Sequence, residues 1–165
     1  MTESEIRDFI KYIDPEIRVK FVTQKTMKRN KVDSIAYAMP YRWLICFSKN
    51  IISWGKIVTF SVILHELGHI YTGITSRCSY DELRAQLWGI KVAQMLRMHG
   101  LAEYMWKEYR DLSKSKQYPK RYQMASKLIQ RLPNPICCRN IYDALEYKDG
   151  IADPLWLDKL ITKLL

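Results

Sequence analysis

The chain has 165 residues, 48% of them hydrophobic and only six each glycine and proline, which suits one folded, helix-rich domain with its own core and argues against disorder. Lys and Arg outnumber Asp and Glu by 27 to 17, a formal net charge of +10 spread along the chain, so nucleic acid, an anionic membrane, an acidic protein and plain solvation all remain compatible with it. No apolar stretch approaches the roughly 20 residues of a membrane span, Met1-Thr2-Glu3-Ser4-Glu5 lacks the layout of a signal peptide, and Cys46, Cys78, Cys137 and Cys138 show no framework spacing, so the expectation is a soluble cytoplasmic protein with reduced thiols.

A first helix is predicted from Thr2 or Ser4 as cap, with Ile6, Phe9, Ile10 and Ile13 at helical spacing and Asp14-Pro15 as the stop. Ile17 to Thr23 alternates apolar and polar residues and predicts a half-buried strand. Lys25, Lys28, Arg29 and Lys31 then surround Asn30 in a predicted basic turn. That turn is the best single candidate for phosphate contact, against the plainer reading of a solvated hairpin tip. Ser34–Met39 and Arg42–Phe47 are two more strand-like runs on either side of Pro40-Tyr41, either a hairpin with a tight turn or one strand bent at the proline. A small sheet is therefore expected before residue 50.

The next segment runs from a candidate cap at Ser53 into an apolar helix, Ile57 to Tyr71, which contains His65-Glu66-Leu67-Gly68-His69. At about 100° per residue, positions four apart lie one turn along and close together round the helix, so both imidazoles can reach one ion. Glu66 is turned far enough away to serve a water better than the metal. Zinc in such a site lowers the pKa of its water towards about 7, and the glutamate takes the proton as the water attacks a carbonyl. Chance alone is a poor account, since these are two of three histidines and they sit among Ile, Val, Phe and Leu.

An open catalytic zinc site wants a third protein ligand. After a turn through Gly73, Thr75 and Ser76, a second helix is predicted from Ser79, and an antiparallel return brings its first residues back beside His69. Glu82 is the candidate ligand, with Asp81 next and Cys78 or His99 as outsiders. The competing role for Glu82 is a capping box with Ser79. Tyr71 and Tyr80 flank the turn as possible donors to a developing oxyanion. The second helix should carry Leu83, Leu87, Ile90 and Leu96, place Trp88, Met95 and Met98 in the core, and stop at His99-Gly100. Helical patterns follow at Leu101–Leu112 and Arg121–Leu132, and Asp153-Pro154 opens a last amphipathic helix.

His65-Glu-Leu-Gly-His69 followed by Glu82-Leu-Arg-Ala85 resembles the gluzincin pattern, and within it the small ImmA/IrrE-type metallopeptidases of phages and mobile elements. Only twelve residues separate His69 from Glu82, fewer than is usual for that type. The resemblance implies a mostly helical α+β zincin-like fold, in which an edge strand beside the metal helix pairs with substrate backbone. The whole chain, 1–165, is expected to be one domain: a helix and small sheet over 1–50, a zinc-binding helix pair over 51–99 and a helical cover over 100–165. The expected activity is zinc-dependent cleavage of an intracellular protein, such as a regulator or repressor, with Glu66 as base and His65, His69 and Glu82 as ligands. The alternative is a basic nucleic-acid- or protein-binding module whose zinc is structural or idle.

Overall fold

The computed structural model describes residues 1–30, 34–73, 79–114 and 119–130. The expected helix after Asp153, the Cys137-Cys138 pair, Lys31 and Cys78 lie outside them. The architecture is α+β and mostly helical, with a three-stranded sheet and six α-helices among the described residues. No described helix is long and apolar enough to cross a membrane.

Helix α1, Glu3–Ile13, starts in a capping box: Thr2 Oγ1 accepts from the Glu5 N–H at 3.2 Å, and the Glu5 carboxylate accepts from the Thr2 N–H at 2.6 Å. Its inner face buries Ile6 and Ile10, and Phe9 meets Phe60 edge to face. Strand β1, Arg18–Val22, follows the Asp14-Pro15 break and leads into a short helix α2, Gln24–Arg29. This corrects the basic turn: Thr23 caps the segment by accepting from the Thr26 N–H, and Met27 is buried on the inner side while Lys25, Lys28 and Arg29 stand in solvent.

Strands β2, Ala36–Met39, and β3, Leu44–Ser48, form the hairpin of the two alternatives. Pro40 opens the 3-10 turn between them, and Trp43 closes it at φ 46°, a left-handed conformation uncommon for a large side chain. The sheet order is β1-β3-β2, with β1 parallel and β2 antiparallel to β3. Central β3 is buried along its whole length, with Ile45 and Phe47 in the main core.

Helix α3, Lys56–Thr72, is capped by Gly55 and not by Ser53, which lies in a preceding 3-10 turn, Lys49–Ser53, with its hydroxyl donating to Asn50 C=O. Gly73, at φ 67°, ends it in the left-handed conformation that glycine allows. Helix α4, Ser79–Met95, then runs back along it, and the two approach closely because the facing positions are small. A Cβ on Gly68 would stand 2.3 Å from Ala85 O, and one on Gly89 would stand 3.0 Å from the Leu64 backbone.

α4 stops four residues before the expected His99-Gly100. Arg97 adopts φ 58°, the Met98 N–H donates to Ala93 C=O and the Arg97 N–H to Gln94 C=O, which together make a Schellman end with arginine in the usual glycine position. His99 and Gly100 instead open helix α5, His99–Asp111. Trp88 is buried and Met98 partly so, whereas Met95 is exposed, contrary to its expected place in the core. Helix α6, Lys120–Ile129, is fastened to α5 by Ser126 Oγ and Gln130 Nε2, which donate to Arg110 C=O at 2.8 and 2.6 Å.

Candidate metal centre

The antiparallel course of α3 and α4 sets Glu82 opposite His69 and Gln86 opposite His65. His65 Nε2 and His69 Nε2 lie 3.2 Å apart, and Glu82 Oε2 lies 3.3 Å from the first and 3.6 Å from the second. Donors about 2.0–2.1 Å from a tetrahedral ion stand roughly 3.3–3.4 Å from one another, so the triangle is close in size to a small tetrahedral metal site. His65, His69 and Glu82 are close enough to hold a metal ion, and they are the single such cluster among the described residues.

The protonation pattern supports the same use. Gln86 Nε2 donates to Met105 C=O at 2.9 Å, which turns its Oε1 towards His65 Nδ1, also at 2.9 Å. Nδ1 therefore carries the hydrogen and Nε2 presents its lone pair, the arrangement that second-shell partners give to metal-bound histidines. The separations from Glu82 Oε2 exceed those of a well-made hydrogen bond, and this buried oxygen has no hydrogen-bond partner among the described residues. His65 Nε2, His69 Nε2 and Glu82 Oε2 thus converge on one point. A divalent cation held there would meet all three.

Charge effects follow from this crowding. Burial works against the Glu82 carboxylate, yet the two imidazoles outweigh it and hold its pKa far below the usual range. For His65 burial favours the neutral ring, but Glu82, Glu66 and Gln86 together offset that and raise the pKa. The other oxygen, Glu82 Oε1, accepts from Arg121 Nε at 2.9 Å. Glu82 thus faces the histidines and Arg121. Asp81, the second candidate ligand, pairs instead with Arg84 at 3.7 Å. His99 is exposed at the start of α5.

Glu66 is 8% exposed, and burial is the main cause of its raised pKa. The Ala38 N–H of β2 lies near enough to the carboxylate to work in the other direction and lower its pKa. Strand register explains how. Ser48 N–H bonds Ile35 C=O, so in the antiparallel ladder Tyr37 and Met39 bond to β3 while Ala36 and Ala38 turn to the strand's other edge. No described strand pairs with that edge. It borders Glu66.

Comparison with protein-family models, curated proteins and solved structures finds no match.

Of the tyrosines expected to donate to an oxyanion, Tyr71 is already engaged: its hydroxyl donates to Asp14 at 2.6 Å and its ring stacks on Trp88. The Tyr80 side chain lies outside what is described. A phenol from further along the chain lines the site instead. Tyr109 of α5 has its ring centroid 5.9 Å from that of His65, and its buried hydroxyl lacks a partner among the described residues. Sequence reasoning missed Gln86, Tyr109 and Arg121. For Gln86 a signal exists, since it follows Glu82 by four residues and shares its helix face.

Proposed function

We propose that the chain is a zinc-dependent metallopeptidase that cleaves peptide bonds of an intracellular protein substrate. The observation that carries this reading is the convergence of His65 Nε2, His69 Nε2 and Glu82 Oε2, with edges of 3.2, 3.3 and 3.6 Å, next to a buried carboxylate that belongs to none of those corners. Zinc, when bound by these three residues, supplies a Lewis acid that polarises a carbonyl and makes water acidic enough to attack it near neutral pH. Glu66 accepts the water's proton and passes it to the departing amine. The β2 edge that no described strand pairs with, at Ala38 beside Glu66, aligns an extended substrate backbone. Such pairing reads main chain, so side-chain preference has to come from the rest of the cleft. The resemblance of the motif pair to gluzincins of the ImmA/IrrE type agrees with this reading, and it is that resemblance that suggests a regulator or repressor as the kind of protein cut.

Metal analysis of the purified chain should find one zinc, and Glu66→Gln should retain it. Glutamine keeps the shape but cannot take the proton, so cleavage should fall by roughly 10²–10⁴. Full zinc in the His65→Ala,His69→Ala variant would remove the site. Equal cleavage by parent and Glu66→Gln would remove the mechanism and favour a binding module with an idle zinc.

A further inference from the structure

We propose that Arg121 is a positioning residue that keeps one Glu82 oxygen away from the metal, so that the protein contributes three donor atoms and no more. This rests on the metal reading above. A carboxylate can hold an ion through one oxygen or through both. Here the two oxygens have different company: Oε2 faces the histidine Nε2 atoms at 3.3 and 3.6 Å, while Oε1 accepts from Arg121 Nε at 2.9 Å. The Glu82 side chain is 4% exposed, so little water is at hand to take the arginine's place. A charge-assisted bond of that length leaves Oε1 committed.

Arg121 is itself held. Its guanidinium lies over the Tyr122 ring, 4.8 Å from the centroid, and Nη2 is 3.5 Å from the Tyr122 hydroxyl. It stands on the second residue of α6, whose Ala125, Ser126 and Ile129 are buried and whose later turns are tied to α5. The metal pair of helices is thereby locked from outside by a residue 39 positions after Glu82.

Two effects of the arginine oppose each other. Its charge disfavours a nearby cation, while its hydrogen bond fixes the ligand. The side chain is 33% exposed, so solvent screens the first effect more than the second. Loss of an outer partner of a metal ligand commonly weakens binding 10–100-fold, which sets the expected sign and size.

The test compares the full-length parent with Arg121→Ala and Arg121→Met, the latter keeping an unbranched apolar stem while removing every donor. Zinc affinity is read by chelator competition, and coordination number by the visible absorption of the cobalt(II)-loaded protein, with circular dichroism as the check of folding. The expected result is a strong four-coordinate cobalt spectrum in the parent. In the variants that band should weaken as the freed Oε1 joins the ion, and zinc affinity should fall about 10–100-fold. If alanine unfolds the chain, both measurements are taken on the methionine variant. A folded variant with the parent's cobalt spectrum, or with tighter zinc binding, overturns the role of Arg121 and leaves the metal site standing. A parent that binds neither metal overturns both.

Discussion

His65 shows how much of a site is decided at one ring nitrogen. The histidine can offer Nε2 to an ion only if Nδ1 keeps the hydrogen, and Gln86 enforces that by spending its own N–H on Met105 C=O. Gln86→Leu keeps the volume and removes the acceptor. Its expected effects are a 10–100-fold loss in zinc affinity by chelator competition and a stability loss of about 1–3 kcal/mol in urea, because a buried N–H is left unmade. Unchanged affinity in a folded variant would mean that the ring is held by packing alone. At this scale the sequence was legible wherever contact follows from spacing: His65, Glu66 and His69 lie on one helix, and Glu82 comes back on the next. Arg121 and Tyr109 were not, since nothing local tells which arginine or tyrosine a later helix will carry to the site.

Among the elements, the α3–α4 pair makes the site, and its closeness depends on Gly68. Both motifs place a small residue three positions after a functional one, Gly68 after His65 and Ala85 after Glu82, and these two small residues touch. A Cβ at Gly68 would meet main-chain oxygen, which cannot step aside as a flexible side chain can. Gly68→Ala should therefore cost about 1–3 kcal/mol and also weaken zinc binding, because the helices part where Glu82 meets His69. Gly100→Ala is the control: it is helical, its added methyl meets nothing within 4 Å, and the change should be neutral or stabilising by up to about 1 kcal/mol. Paired urea titrations would show it, and a Gly68→Ala protein as stable as the parent would contradict the packing account. Boundaries were harder to foresee than elements. α4 ends on Arg97, a left-handed non-glycine, so the visible glycine at 100 misled; α2 was hidden in a lysine-rich run whose one buried residue, Met27, gives no periodicity.

Across the whole molecule, the candidate site draws on α3 and α4 for its three donor atoms, on α5 and α6 for their outer partners and on β2 for the main chain beside Glu66, so a metal bound there would be coupled to folding. The order of elements, a small sheet and then a helix pair with helices over it, was legible because each has its own periodicity. The sheet's pairing was not, since a parallel β1-β3 contact reaches past α2 and β2. A metal that binds only the folded chain stabilises it by RT ln(1 + [L]/Kd), about 2.7 kcal/mol at a hundredfold excess over Kd. For a chain of this size each kcal/mol is worth roughly 2–4 °C, so stripping the metal should lower Tm by about 5–10 °C. Glu66→Gln should show the same drop on chelation, since Glu66 is no ligand, whereas His65→Ala,His69→Ala should melt at one temperature with or without chelator. The comparison needs no substrate. A parent whose Tm ignores both zinc and chelator would show that the His-Glu-His triangle does not bind zinc, and a Glu66→Gln protein that no longer responds would make Glu66 a ligand and leave the reaction without its base.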